Sequence, residues 1–237
     1  MVANANLRHD LKALAYMILQ ILLITLLPST YLRAAFSLLV FLTVMFIERR
    51  DLGLGGWQYA LKGALIAFLL VLPFLAIASI SEGSISSIEE LLSPFIYHLS
   101  VSIWEENVFR AYPLYRLTVG SLLSSSLLFS LVHAYNPGFG IMPFLGIFTA
   151  GIMLGLMRYE FGLGAVYSFH LAWNFLIGHI LGLTLSGISG GPSLLRSYLE
   201  GPEILTGGVF GPEGSVIAIG EFTLLSILLF KQIASSR

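Results

Sequence analysis

Residues 94–117 read PFIYHLSVSIWEENVFRAYPLYRL. By hydropathy this stretch is a membrane span, yet Trp104-Glu105-Glu106-Asn107-Val108-Phe109-Arg110 sets three ionisable side chains in its middle. A charged side chain at bilayer depth costs at least about 2.5 kcal/mol, so such groups face a protein interior or a water-filled cavity and mark function. Two further apolar stretches carry polar residues of the same kind. His133 ends residues 119–134, and His170 with Asn174 lies in residues 163–185.

Composition agrees with a membrane setting. Of 237 residues, 57% are hydrophobic and 11% charged, against about 25% charged in soluble domains. Mean hydropathy is +0.88. The net charge of −1 and the lack of a basic, aromatic-interleaved stripe give no basis for a nucleic-acid partner. The absence of cysteine removes disulfides, thiolate zinc sites, iron–sulfur clusters and a cysteine nucleophile.

Eight candidate spans follow from hydropathy, at residues 11–27, 31–47, 61–80, 94–117, 119–134, 141–157, 163–185 and 215–230. Turn residues separate them: Pro28-Ser29, Gly53 to Gly56, Asn136-Pro137-Gly138 and Gly162. Arg8, His9 and Lys12 ahead of the apolar run 13–27 resemble a signal peptide. A second apolar run at 34–47 favours a retained hairpin instead. With the N-terminus inside, nine basic residues fall at inside ends: Arg8, Lys12, Arg49, Arg50, Lys62, Arg116, Arg158, Lys231 and Arg237. Only Arg33 and Arg196 fall at outside ends, where Glu82, Glu89, Glu90, Glu200, Glu203 and Glu213 gather. The bias places both termini in the cytoplasm of a multi-pass protein of the cell membrane. The expected fold is an all-α integral membrane protein, a bundle of about eight transmembrane helices around an intramembrane polar cavity. One transmembrane domain covers residues 1–237, with a motif-bearing core at about 94–185. The glycine- and proline-rich segment 186–214 reads first as an external connector, and alternatively as a lid over a site that opens outward. No internal repeat of span length is present, which weighs weakly against a transporter of duplicated halves.

On a helix, Glu106 and Arg110 share a face, and the guanidinium can hold the carboxylate by a fork of hydrogen bonds. Glu105 points about 100° away and meets only Val108 and Phe109 at the next turn. It is the spare carboxylate, a proton acceptor, with Glu106 and Arg110 as the orienting pair. His170 and Asn174 share a face of their helix. Two imidazoles, an amide and a free carboxylate can orient a water, accept its proton and donate to an oxyanion. His179 takes a heading nearly opposite to His170 and reads as interfacial. His98 could line an entrance, and His9 reads as a solvated terminus. Gly151-x-x-x-Gly155 and Gly178-x-x-x-Gly182 suit close helix packing, with oligomerisation a lesser alternative. Tyr112, Tyr115, Phe169 and Trp173 could line a groove, although core packing is the plainer role for each.

Glu-Glu-x-x-x-Arg, then Phe-x-x-x-His (Phe129 to His133), then His-x-x-x-Asn, each in its own apolar stretch, resembles the signature of the CAAX protease and bacteriocin-processing family of intramembrane proteases. That family includes the type II CAAX prenyl endopeptidases. The resemblance spans residues 104–174, with Phe109-Arg110 and Leu52-Gly53-Leu54 also similar to it. It implies an eight-helix bundle with its site inside the membrane. It further implies peptide hydrolysis in which Glu105 and His133 activate water while His170 and Asn174 form the oxyanion site. The substrate would be a peptide or protein in the bilayer, a prenylated C-terminal tail being the family's best-known target.

Members of the family are described both as metal-dependent and as glutamate-based. Here a catalytic zinc could draw on His133, His170 and Glu105, with Glu106 as base. The lack of a His-Glu-x-x-His run and of spare carboxylates to support the histidines favours a metal-free site or a weakly held divalent ion. A proton-coupled transporter using the same groups and a non-catalytic membrane scaffold are the alternatives. One tension remains in the span limits. They set Glu105 near mid-membrane, His133 at the outer end of its helix and His170 toward the inner side, whereas a shared water demands convergence. The sequence leaves the oligomeric state open.

Overall fold

The computed structural model describes residues 2–85 and 87–236. Helices occupy all eight positions expected of spans: α1 (Val2–Thr25), α2 (Thr30–Ile47), α3 (Trp57–Leu75), α4 (Leu92–Glu106), α5 (Val119–Leu131), α6 (Ile141–Phe161), α7 (Leu163–Phe175) and, after the short α8 (Glu203–Thr206), α9 (Val216–Ser235). Four of these, α2, α3, α6 and α9, are long and apolar enough to cross a membrane. Their starts are written in the sequence. Ser29 Oγ accepts from Leu32 N at 3.3 Å and Ser215 Oγ from Ala218 N at 3.1 Å. Thr118 and Ser121 cap α5 reciprocally. Each cap satisfies an amide that the helix start leaves without a partner.

Of the four long helices α6 is the most enclosed, 56% of its span being buried against 22% for α2 and α3. Large side chains such as Phe46, Leu69 and Phe230 point outward from α2, α3 and α9, as a lipid-facing belt requires. Small residues set the closest approaches. A Cβ on Gly63 of α3 would stand 2.1 Å from the Ala165 carbonyl oxygen of α7, and one on Gly151 of α6 would stand 2.9 Å from Cα of Ser126 on α5. The Gly151–Gly155 pair thus packs helices internally, as expected. The second pair differs. Gly182 lies beyond the helix at φ 66°, against the carbonyl of Leu195, and Gly178 meets no neighbouring helix closely.

The loops gather at two ends of the bundle. At one end β1 (Ala78–Glu82) pairs antiparallel with β2 (Leu195–Leu199), Ala78 opposite Leu199 and Glu82 opposite Leu195. The all-α expectation is amended by this small sheet, and the third span stops at Leu75 rather than residue 80 because the chain leaves the helix to form β1. Segment 186–214 is therefore no loose connector; it carries β2, α8 and two short 3₁₀ turns, and a strand ties it to the α3–α4 loop. The other end collects the N-terminal turns of α1, the α2–α3 turn and the α4–α5 turn. There Lys12 meets Glu48 at 3.4 Å, Arg50 Nη1 donates to the Tyr115 hydroxyl at 2.8 Å, and Leu163 N donates to Gly53 O at 2.8 Å. His9 is not a free terminus here, since its ring donates to the Pro113 carbonyl at 3.1 Å.

α2 ends in a Schellman turn. Arg50 N donates to Met45 O at 2.9 Å and Arg49 N to Phe46 O at 3.1 Å, with Arg49 at φ 52°. That left-handed position favours glycine, because an L side chain crowds its own carbonyl at a cost of about 1–2 kcal/mol. Arg49→Gly is expected to raise the thermal midpoint of the detergent-solubilised protein, in line with about 1 kcal/mol of relieved strain. A lowered midpoint would show that the arginine side chain contributes more than its backbone costs.

Candidate active site

α4 does not run evenly through its charged residues. It stops at Glu106, and Asn107–Ala111 form a π turn. Wider turns of this kind leave backbone groups poorly matched and often sit at functional sites. Neighbouring helices supply the partners. Tyr16 Oη donates to Asn107 O at 3.2 Å and Ser125 Oγ to Phe109 O at 2.6 Å. The Asn107 side chain donates to Ser37 Oγ at 3.4 Å and accepts from the Tyr167 hydroxyl. Helices α1, α2, α5 and α7 thereby fix the rotation of the turn that carries the glutamates and Arg110.

His170 of α7 lies between the two carboxylates. Its Nδ1 is 2.6 Å from Glu106 Oε1 and its Nε2 is 3.6 Å from Glu105 Oε2. A carboxylate only accepts, so Nδ1–H donates to Glu106 and Nε2 faces Glu105. Arg110 Nη1 reaches the same Glu106 oxygen at 3.4 Å. The expected fork is not made. Arg110 Nε and Nη2 and Glu106 Oε2 have no hydrogen-bond partner among the described residues, while the guanidinium stands 3.9 Å from the centroid of Phe129. A cation over a ring face recovers part of its lost solvation. Both Glu106 and Arg110 are fully buried. Glu106 is thus first the partner of His170 and second that of Arg110. Glu105 makes no hydrogen bond among the described residues and faces the imidazole, not lipid.

His133 lies just past the end of α5, in the turn that follows. Its Nδ1 is 2.8 Å from the Phe129 carbonyl oxygen, so Nδ1–H donates to it and Nε2 is left as an acceptor. The Phe129 ring meets both imidazoles edge-on, at 5.1 Å from His133 and 6.3 Å from His170. Asn174, one turn beyond His170, has no hydrogen-bond partner among the described residues. Glu105, His133, His170 and Asn174 line one cavity of about 670 Å³. The tension over depth dissolves because His133 stands on a turn, off the helix end, and because α7 reaches the same cavity with successive turns.

The metal-ligand set left open by the sequence is not assembled. Among the described residues no three histidines, aspartates or glutamates form a group that could hold a metal ion. Both histidines donate Nδ1–H, His133 to the Phe129 carbonyl and His170 to Glu106, and so leave Nε2 uncommitted, as a metal ligand would. The two rings and Glu105 nevertheless do not converge as a three-ligand zinc site requires.

Sequence reasoning missed two features of the cavity. Glu213 is brought in by the segment before α9. It accepts from Trp173 Nε1 at 3.1 Å, from Ser186 N at 2.7 Å and from the Ser186 hydroxyl. Burial pushes this loop carboxyl above its ordinary range, against those hydrogen bonds. Segment 186–214 holds Gly-Pro-Glu twice, at 201–203 and 211–213; Glu213 of the second is buried while Glu203 of the first is exposed. The second is a histidine pair. His179 is buried, not interfacial; its Nδ1 donates to Pro192 O at 2.7 Å, and its Nε2 accepts from His98 Nε2 at 2.9 Å. Residues 176–180 form another π turn, which rotates His179 away from the heading an α-helix would give it. Phe169 and Trp173 line the cavity, whereas Tyr112 and Tyr115 lie at the far end of the bundle.

All seven residues of the three motifs fall within one stretch. Residues 86–176 match the family model described as Type II CAAX prenyl endopeptidase Rce1-like. The family recognised on the three motifs and the family matched are the same. The Rce1-like stretch covers less than half of the chain, and His179, Ser186 and Glu213 lie outside it. No curated protein and no solved structure matches the chain. With four helices long and apolar enough to cross a bilayer, the chain is a multi-pass membrane protein.

Proposed function

We propose that the chain is an intramembrane endopeptidase that hydrolyses a peptide bond in a membrane-associated substrate. One observation carries the reading: Glu105, a carboxylate with no hydrogen bond among the described residues, faces a cavity shared with His133, His170 and Asn174, 3.6 Å from an imidazole that a second carboxylate holds from behind. Glu105 accepts a proton from water while the bare Nε2 of His133 orients it by accepting its other hydrogen. The hydroxide oxygen bonds to the scissile carbonyl carbon. The oxyanion takes hydrogen bonds from the Asn174 amide and from Nε2–H of His170, whose positive form Glu106 stabilises across Nδ1. The C–N bond then breaks, and the proton on Glu105 passes to the leaving nitrogen. Arg110 holds Glu106 in place. No step passes through a metal.

The proposed arrangement in the bilayer is eight spans in one domain, with both termini cytoplasmic. The alternation of loops between two ends supports it: the acidic α3–α4 and α7–α9 loops join through β1 and β2 at one, and basic turns collect at the other. For the substrate, the matched family, Type II CAAX prenyl endopeptidase Rce1-like, points to prenylated C-terminal tails. Purified protein is expected to cleave a lipidated C-terminal peptide faster than its unlipidated twin, with chelator making no difference. Equal rates on both peptides would remove the lipidated tail from the proposal. Loss of activity on chelation would overturn the metal-free mechanism.

A further inference from the structure

A second concavity, of about 560 Å³, opens at the end of the bundle opposite the β1–β2 pair. Three chain segments that are far apart in sequence build it. Arg8 and Lys12 come from the first turns of α1, Arg50 from the turn after α2, and Arg116 from the turn before α5; Tyr112 and Tyr115 line it between them. Glu48 is the one carboxylate in its lining, and it already takes Lys12 at 3.4 Å and the Tyr112 hydroxyl at 3.1 Å. Asp10, nearby on α1, is occupied by the Thr118 hydroxyl at the start of α5. Arg8 and Arg116 have no carboxylate partner among the described residues.

A general inside bias explains basic residues at this end of the helices but not their convergence. Lys62 shows the difference: it lies over the Phe161 ring at 3.9 Å, outside the concavity. Arg8 and Lys12 are one turn apart on the same face of α1, a like-charge spacing that destabilises a helix unless an anion lies between. Arg50 is pre-oriented. Its guanidinium stands 4.7 Å from the Tyr115 centroid and donates to that ring's hydroxyl. The turn that delivers it holds Arg49 in the left-handed conformation. Leu7 and Leu11, which flank Arg8 on α1, are both exposed apolar side chains, so the basic rim lies where hydrocarbon gives way to head groups.

We infer that this basic concavity binds a phosphate monoanion or diester, the group carried by anionic phospholipid head groups and by free phosphate esters. Arginine forks suit phosphate oxygens in pairs, and the Tyr115 hydroxyl, which accepts from Arg50, keeps its own proton to donate. The inference does not depend on the proposed peptidase activity.

Native mass spectrometry of the detergent-solubilised full chain tests it with phosphatidylglycerol, phosphatidylcholine and inorganic phosphate as probes. Wild type is expected to retain phosphatidylglycerol over phosphatidylcholine. The Arg8→Gln/Arg116→Gln variant should bind it at least about tenfold more weakly, and Arg196→Gln, an exposed arginine on β2, should bind as wild type does. Glu48→Gln should tighten binding, because it removes the carboxylate in the lining; this variant keeps the proposal testable if the double variant fails to fold. Competition by millimolar inorganic phosphate would assign the site to free phosphate esters, and resistance to it would assign the site to lipid. Equal retention of both lipids together with no phosphate binding would overturn the inference, as would identical binding by all variants.

Discussion

Glu105→Gln is expected to lower kcat/KM for peptide cleavage by at least about 100-fold, the low end of what a positioned general base contributes, with the fold intact. The carboxylate makes no hydrogen bond among the described residues, and His170 Nε2 stands 3.6 Å from it. Glutamine has the same shape and removes one of two carboxylates crowded around a single imidazole, so stability is expected to hold or rise. The measurement is cleavage of a reporter peptide by matched detergent preparations, together with the thermal midpoint of each. Activity within a few-fold of wild type would sink the assignment of Glu105 as base. Proton-driven uptake into liposomes that needs Glu105, with no cleavage, would turn the reading toward a transporter.

Glu106→Ala is expected to fail differently, losing activity and stability together. Glu106 Oε1 is the carboxylate that meets both Arg110 and His170 Nδ1. Its removal leaves a fully buried guanidinium beside the Phe129 ring with no hydrogen-bonded carboxylate among the described residues. Breaking a buried pair on one side typically costs about 3–5 kcal/mol, because an uncompensated charge remains. Replacing the arginine as well, in Glu106→Ala/Arg110→Leu, should restore much of the lost stability but none of the activity, since His170 still lacks the carboxylate that orients its ring and stabilises its positive form. If the single variant melts with wild type, the buried pair is not a structural requirement. If the double variant recovers cleavage, Glu106 has no role in holding His170.

The two substitutions follow from adjacent residues with opposite surroundings, and that contrast was partly legible in the sequence. Helical spacing alone paired Glu106 with Arg110 and left Glu105 over. Spacing could not show that His170 would come between them, because contacts between helices are not written in local periodicity. The π turns after Glu106 and after Phe175 were equally hidden. They arise where tertiary hydrogen bonds, such as those from Tyr16 and Ser125, make a wider turn affordable. His179 was misplaced for that reason. β1 escaped notice because its first residues, 78–80, fall at the end of the apolar run 61–80, and its partner strand lies more than a hundred residues away in a segment that reads as a loop. Glu213 looked like one more acid on an outer loop until Trp173 and Ser186 were seen to hold it.

The strand pair has a directional consequence. The segment that carries Ser186, Pro192 and Glu213 over the cavity is fastened twice, through β1 and through Trp173. Tyr31 at the start of α2 and Tyr97 on α4 belong both to the cavity wall and to the outer surface. On the proposed peptidase reading, a substrate anchored in the acyl layer would enter beside these two exposed rings and leave the fastened segment in place.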